Sequence, residues 1–302
     1  MTAQSEHTSH SRGIVVAVDG SPPSDAAVAW AARDAALRKL PLTLVHVLHP
    51  PMVMAWPETP VSPGFAEWHE SQGAEVLKAA TARAEDIVGS VAGDNPPEIT
   101  SEMFTGPTMP TLIDLSKDAE MIVVGCRGMG AVGRTVLGSV SSSLIHHASC
   151  PVAVIHDETP PEDRTQAPVI VGIDGSPASE AATALAFEEA SQRGVGLVAA
   201  HAWSDTIAIE YPGLSYPTMQ GLGEEILGER LAGWQERYPD VEVRRAVACD
   251  KPAHQILDEA EKAQLVVVGS HGRGGFAGML LGSVSTKVAH GAHVPVIVAR
   301  QG

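Results

Sequence analysis

One short stretch decides the fold, and it occurs twice. Residues 13–22 read GIVVAVDGSP, and residues 168–177 read PVIVGIDGSP. In each copy a run of β-branched residues leads into Asp-Gly-Ser-Pro, which is typical of a buried parallel strand that turns directly into a helix. The two Asp residues, Asp19 and Asp174, lie 155 positions apart. The chain is therefore predicted to be one unit written twice.

A second pair of segments repeats near the end of each unit. Residues 123–141 read VVGCRGMGAVGRTVLGSVS, and residues 267–285 read VVGSHGRGGFAGMLLGSVS. Both keep the spacing Gly-x2-Gly-x9-Gly-Ser, but their offset is 144, so the first unit holds eleven extra residues upstream. The Pro-rich stretch 50–63 is the candidate for these residues, and we expect it to form a long exposed loop.

Length and composition agree with two α/β domains. The 302 residues are enough for two cores, and 44% apolar and 19% charged residues are close to a globular average. With only 4% aromatic residues, helices packed on a sheet are favoured over a β-sandwich. We predict a disordered N-terminal tail (1–12), a first domain (13–157), a linker rich in Pro and charge (158–167) and a second domain (168–302).

Each unit is predicted to alternate strands with helices. Five strands separated by helices require right-handed crossovers and hence a parallel, doubly wound sheet. In such sheets ligands bind beyond the carboxyl ends of the strands. In the first unit the predicted strands are 14–18, 42–48, 99–103, 121–124 and 152–156, and the predicted helices are 21–39, 67–88, 108–117 and 139–148.

Two repeated features meet at that edge: the Asp after the first strand and the glycine loop after the fourth. Glycines permit close backbone approach, and Gly-Ser at a helix start offers N–H groups and a hydroxyl to an anion, so a polyphosphate fits. Two plainer interpretations stay open. The glycines could serve only a tight turn, and the Asp only a capping turn, although a capping carboxylate can also accept from a ribose hydroxyl or an adenine amine or hold a metal.

Two better-known phosphate motifs fit less well. A Walker loop places Lys before its Ser or Thr, and no Lys precedes Ser139 or Ser283. A dinucleotide fingerprint is nominally present as Gly128-x-Gly130-x-x-Gly133, but that motif belongs in the first βαβ turn, whereas this loop follows the fourth strand. Both observations argue against a Walker-type ATPase and a dehydrogenase.

No other residues indicate catalysis or a metal site. His46 and His201 end the second strands and are interpreted as packed, hydrogen-bonded residues. His146 and His147 would point about 100° apart on a helix, which does not favour a shared metal. His271 and Arg273 could reach a phosphate, although the interpretation as exposed loop charges is slightly favoured.

The remaining composition limits the partners and the compartment. The formal charge of −16 argues against nucleic-acid and anionic membrane surfaces. The three Cys form no C-x-x-C pair, so neither a disulfide framework nor a zinc site is predicted, and Cys126 is interpreted as an incidental small residue. The polar start and the absence of an 18-residue apolar run indicate a cytoplasmic protein.

The paired motifs resemble those of the universal stress protein family, in its tandem two-domain, ATP-binding form. The resemblance covers nearly the whole chain. It implies two Rossmann-like domains related to adenine nucleotide hydrolases, each a five-stranded parallel sheet flanked by helices, with ATP held between the first Asp and the glycine loop. The implied ATP-binding positions are Ala17, Asp19, Val47, Gly125, Gly128, Gly138, Ser139, Val140 and Ser141 in the first domain, and Gly172, Asp174, Ala202, Gly269, Gly272, Gly282, Ser283, Val284 and Ser285 in the second.

The same resemblance implies a function and an assembly. We expect a stress-response regulatory module with two ATP sites, with or without Mg²⁺, and slow or absent turnover. The alternatives are an ATP-cleaving or phosphate-transferring enzyme of the related ATP-pyrophosphatase type, which carries Ser-Gly-Gly-x-Asp-Ser after its first strand, and a structural dimer whose glycine loops are only turns. The domains are expected to pair through their last strands as an intrachain pseudo-dimer, and a homodimer of whole chains stays open.

Overall fold

A computed structural model describes residues 12–49, 63–128, 137–156, 162–203, 216–272 and 281–300. The predicted N-terminal tail up to residue 11, residues 50–62 of the predicted Pro-rich loop, residue 157 at the end of the predicted first domain and residues 158–161 of the linker lie outside this part of the chain. Within the predicted linker, Glu162–Gln166 form a turn of 3₁₀ helix.

The first half alternates strands and helices as predicted. Its second strand has the predicted bounds, whereas the second helix is longer than predicted at both ends. The elements are β1 (Ile14–Ala17), α1 (Pro22–Arg38), β2 (Leu42–Leu48), α2 (Pro63–Val91), β3 (Ile99–Thr105), α3 (Thr108–Leu115), β4 (Met121–Gly125), α4 (Ser139–His147) and β5 (Val152–Ile155).

The second half repeats this order. Its elements are β6 (Val169–Gly172), α5 (Pro177–Arg193), β7 (Leu197–Trp203), α6 (Tyr216–Leu231), α7 (Trp234–Arg237), β8 (Val243–Cys249), α8 (Pro252–Ala260), β9 (Leu265–Gly269), α9 (Ser283–Gly291) and β10 (Val296–Ala299). None of the helices in the described part of the chain has the length and apolarity needed to cross a membrane.

All ten strands form one sheet, in the order β3-β2-β1-β4-β5-β10-β9-β6-β7-β8. Within each half the neighbouring strands are parallel, and β1 and β6 each have partners on both sides. The strand order therefore reverses beside β1 and beside β6, which confirms the predicted doubly wound α/β fold. The halves meet where β5 and β10 run antiparallel, with Val296 opposite Val154 and Val298 opposite Val152.

The core lies in two layers, one on each face of the sheet. Alternate residues of a strand point to opposite faces. Ile14 and Val16 therefore belong to the layer that contains residues of α1, α2, α5 and α6, whereas Val15 belongs to the layer that contains residues of α3, α4, α8 and α9. The central strands are buried on both faces because helices cover both, which explains their continuous β-branched sequence. This packing holds the carboxyl ends of β1 and β4 side by side.

Candidate functional site

The structure brings the Asp after β1 to the glycine loop after β4. A Cβ atom built on Gly128 would lie 2.5 Å from Oδ2 of Asp19, and one built on Gly272 would lie 2.5 Å from Oδ2 of Asp174. No side chain fits at either position without displacing the carboxylate. The two segments that the sequence analysis assigned to one crevice therefore touch in both domains.

In the first domain, the turn after β1 uses one oxygen of Asp19. Its Oδ1 accepts from the backbone N–H of Ser21 (3.0 Å) and from the Ser21 hydroxyl (2.5 Å). Ser21 is in turn the N-cap of α1, because its side chain accepts from the N–H of Ser24. The structural role of Asp19 is therefore carried by Oδ1, while Oδ2 is the oxygen next to Gly128.

The second domain repeats the backbone part of this turn. Oδ1 of Asp174 accepts from the N–H of Ser176 (2.9 Å), and Ser176 caps α5 by accepting from the N–H of Ser179. The Ser176 hydroxyl, however, donates to the carbonyl of His271 at 3.2 Å. In this domain the cap is thus bonded to the glycine loop itself.

Hydrogen bonds close the base of each loop. The N–H of Gly138 donates to the carbonyl of Cys126 (2.7 Å), and that of Gly282 donates to Ser270 (2.7 Å). The buried Ser141 hydroxyl also donates to the Cys126 carbonyl, at 3.0 Å. The equivalent Ser285 hydroxyl donates to the carbonyl of Gly269 (2.6 Å). Because both hydroxyls bond to the loop, any ligand contact by these two residues is expected through their backbone.

The start of the helix after each loop is open to solvent. Gly138 and Gly282 are the N-caps of α4 and α9 and provide no side-chain hydrogen bond, and Ser139 and Ser283 are exposed. The first N–H groups of a helix have no acceptor within it and lie at the positive end of its dipole. Each helix start therefore offers donors to an anion. Residues 129–136 and 273–280 of the loops, including the phosphate candidate Arg273, lie outside the described residues.

Gly125 and Gly269 have a packing role that the sequence analysis missed. A Cβ on Gly125 would lie 2.7 Å from the backbone oxygen of Pro23 at the start of α1, and one on Gly269 would lie 2.6 Å from that of Ala178. Glycine is needed at both positions because the helix backbone crosses the end of the strand there. A larger residue would displace the helix, so this substitution does not isolate ligand binding.

Four of the implied ATP-binding positions lie at the ends of neighbouring strands. Ala17 ends β1 and Val47 lies near the end of β2, and both are half-buried. In the second domain, Gly172 and Ala202 are the equivalent half-buried positions. A Cβ on Gly172 would lie 2.7 Å from Cδ1 of Ile256, so a larger residue here would have to displace the end of that side chain.

The two strand-end histidines are packed residues, as predicted. Nδ1 of His46 lies 2.7 Å from the carbonyl of Val18, and Nδ1 of His201 lies 2.7 Å from that of Ile173. Each ring thus ties the end of the second strand of its domain to the turn after the first strand. This contact helps to hold the crevice in shape.

The sequence analysis missed one cluster of three side chains of the kinds that can bind a metal ion. Among the described residues, Asp250, His254 and Asp258 place ligand atoms within 4.8 Å of one another. Their i, i+4, i+8 spacing was the available signal. The side chains are largely exposed, and Nδ1 of His254 pairs with both carboxylates, at 2.6 and 3.4 Å. The hydrogen bond to Asp250 raises the pKa of His254, and these ion pairs account for the set.

Known proteins resemble this chain along nearly all of its length. The universal stress protein family matches residues 10–156 and again 167–300. A universal stress protein of Mycobacterium tuberculosis is 54% identical over 290 residues, covering 96% of this chain and 97% of the relative. One from Mycolicibacterium smegmatis is 51% identical over 288 residues, covering 95% and 97%. The crystal structure of a universal stress protein from Archaeoglobus fulgidus is 21% identical, with a TM-score of 0.69, and covers 97% of this chain and 99% of that one. At that identity the likeness concerns the fold.

Proposed function

The chain belongs to the universal stress protein family, and we propose that it binds ATP in both domains and acts as a regulatory nucleotide-binding module in the stress response. One observation carries this proposal. In both domains an Asp carboxylate lies against a glycine of the loop that leads to an open helix start.

The crevice offers complementary groups for each part of ATP. Oδ2 of Asp19 or Asp174 is placed to accept from a ribose hydroxyl or the adenine amine. The exposed hydroxyls of Ser139 and Ser283 and the N–H groups of the first helical turn are suitable donors to phosphate oxygens. The half-buried strand ends provide an apolar boundary for the adenine ring. These donors need no clustered Lys or Arg, which suits a chain with a formal charge of −16.

In this proposal ATP is a ligand and turnover is slow or absent. No Lys precedes Ser139 or Ser283 to stabilise charge on a transferred phosphoryl group. The alternative is an ATP-cleaving enzyme of the related pyrophosphatase type, and it requires a catalytic group that we do not identify.

The proposal includes an assembly and a compartment. The antiparallel pairing of β5 with β10 is taken as the contact of an intrachain pseudo-dimer. Further pairing of whole chains into a homodimer is compatible with it. We place the protein in the cytoplasm, with no nucleic-acid or membrane partner.

Nucleotide content and calorimetry test the proposal directly. Protein purified without added nucleotide is extracted with acid, and nucleotide-free protein is then titrated with ATP. We expect extraction to release up to about two adenine nucleotides per chain, and we expect the nucleotide-free protein to titrate with about two sites per chain. The proposal fails if extraction releases no nucleotide and titration produces no heat. Steady-state release of phosphate or pyrophosphate at about 1 per second or faster would instead favour the enzyme.

A further inference from the structure

A group of charged side chains, all but one of them largely buried, lies between α1 and α5, where the two domains meet. It consists of Asp34 and Arg38 from α1 and Glu188, Glu189 and Arg193 from α5, and we call it the interdomain charge cluster. Asp34 and Glu189 occupy equivalent positions of the repeat, 155 residues apart, and so do Arg38 and Arg193. Asp34 is 1% exposed and Glu189 is 0% exposed.

Arg193 bridges the two buried carboxyl groups. Its Nη2 donates to Oδ1 of Asp34 at 2.6 Å and to Oε2 of Glu189 at 2.9 Å. Its Nε also donates to Oε2 of Glu189, at 3.2 Å. The guanidinium carbon lies 5.4 Å from the centre of a Trp30 ring, so the charge is also held by an aromatic face. One oxygen of each carboxyl group is therefore bonded to the same guanidinium.

The other oxygen of each carboxyl group lacks such a bond. Oδ2 of Asp34 and Oε1 of Glu189 are buried and have no hydrogen-bond donor among the described residues. Both lie 3.8 Å from Nη1 of Arg38, which is beyond hydrogen-bonding distance, and Arg38 instead donates to Glu188 at 3.2 Å. Burying a carboxylate oxygen without a hydrogen-bond donor is unfavourable in free energy. A proton on one of the two carboxyl groups would supply the missing donor.

The distribution of charges in the cluster also favours one bound proton. Arg38 is hydrogen-bonded to Glu188, whose side chain is 40% exposed and stays charged in water. Arg193 is then the guanidinium that is hydrogen-bonded to both buried carboxyl groups. A buried charge without a counter-charge is strongly unfavourable, and groups in that position bind or release a proton instead. One proton on the cluster makes it neutral.

We propose that Asp34 and Glu189 share one proton across the domain interface, so that domain pairing is linked to proton binding. The carboxyl O–H of one residue donates to the unbonded oxygen of the other, and Arg193 balances the remaining negative charge. The proton joins equivalent positions of the two repeats. This proposal concerns α1 and α5 within the interface and does not depend on nucleotide binding.

The electrostatic environment of Asp34 also favours its protonated form. Burial first and the neighbouring Glu189 second raise the pKa of Asp34 well above the ordinary value of 3.8. Arg193 and Arg38 act in the opposite direction but do not outweigh them. A carboxyl group whose pKa is raised on folding stabilises the folded form below its unfolded pKa. That contribution is lost as the pH rises through the folded pKa.

Carbon NMR on the intact protein tests the shared proton. The side-chain carboxyl carbons of Asp34 and Glu189 are followed through a pH titration. Because the two groups are coupled, we expect one of the two macroscopic steps of the pair to lie well above the ordinary pKa of Asp. The proposal is overturned if both carboxyl groups ionise in the range of ordinary Asp and Glu residues.

A neutral isostere gives a second, independent test. In Asp34→Asn the amide can donate to Glu189 in place of the proton and still accept from Arg193. We expect the unfolding equilibrium constant of the parent, relative to this variant, to rise by up to about tenfold per pH unit over the range in which the folded protein keeps its proton. The control is Asp114→Asn, an exposed carboxyl group paired with Lys117, whose pKa is lowered by that pair. It should follow the parent. Equal pH dependence of parent and Asp34→Asn would contradict the proposal.

Discussion

In the first domain the Ser21 hydroxyl donates to the carboxylate of Asp19, whereas in the second domain the equivalent Ser176 hydroxyl donates to the carbonyl of His271. The backbone bond from the same Ser to Oδ1 of the Asp is present in both. The close approach of a loop glycine to Oδ2 of the Asp is also present in both domains. The two domains thus share the backbone contacts that shape the crevice and differ in the side-chain contacts around them.

The domains differ in the same way at their shared interface. Arg193 donates to both buried carboxyl groups. Among the described residues the equivalent Arg38 donates only to Glu188, and its Nε and Nη1 have no hydrogen-bond acceptor. Equivalent residues of the two repeats therefore form different hydrogen bonds once α1 packs against α5. Three pairs of matched substitutions compare equivalent residues of the two domains.

The largest effect is expected for the two interface arginines. Arg193→Met leaves two buried carboxyl groups without their shared donor and should lower the free energy of unfolding by about 3–5 kcal/mol. Arg38→Met removes mainly the bond to Glu188, which is 40% exposed, and should cost about 1 kcal/mol or less. Urea unfolding at constant pH measures both. Equal losses would show that the arginines are equivalent after all.

An intermediate effect is expected for the two loop glycines. Gly128→Ala and Gly272→Ala should each displace a carboxylate oxygen and weaken ATP binding in one domain by about tenfold to a hundredfold, the value of a hydrogen bond to a charged group. Calorimetry should then resolve one weakened and one unchanged site per chain. The control is Gly89→Ala, where a Cβ would meet nothing within 4 Å. Unchanged affinity at both sites in the double variant would contradict the site assignment.

The smallest effect is expected for the two N-cap serines. Ser21→Ala and Ser176→Ala should each lower stability by about 1 kcal/mol, because each removes a helix cap. Only Ser21→Ala also removes a donor to an Asp carboxylate, so it alone should change ATP affinity, by a few-fold. Thermal unfolding and calorimetry on the same samples separate the two effects. A loss of ATP affinity in Ser176→Ala but not in Ser21→Ala would contradict this prediction.

Much of the fold could be predicted from local sequence. The strand 42–48 was placed at its observed bounds because Pro41 ends the preceding helix and apolar residues follow. The start of α2 was predicted four residues too late, at residue 67 instead of Pro63. The Ser62-Pro63 pair is a helix-start pattern, but it lies in the Pro-rich stretch that was assigned to a loop. The meeting of Asp19 with Gly128 was predicted from topology alone, since parallel strands bring their carboxyl ends to one edge.

The parts that could not be predicted depend on distant residues. Gly125 was assigned to the space for phosphate, yet its nearest neighbour is the backbone of Pro23, about a hundred positions earlier. Ser141 was counted among phosphate-binding residues, yet its hydroxyl is buried against the loop that it closes. No local pattern distinguishes a glycine needed by a ligand from one needed by a crossing helix.

The sequence by itself determined the repeat, the α/β class, the order of strands and helices and the edge at which the site lies. These depend on local propensity, hydrophobic pattern and the handedness of crossovers, all of which act within one domain. Only the tertiary structure decided that Asp34 and Glu189 face each other. On a single helix, Asp34 and Arg38 resemble an ordinary i, i+4 ion pair in water. Packing α5 against α1 removes the water and buries two carboxyl groups that share the Arg193 guanidinium as their hydrogen-bond donor.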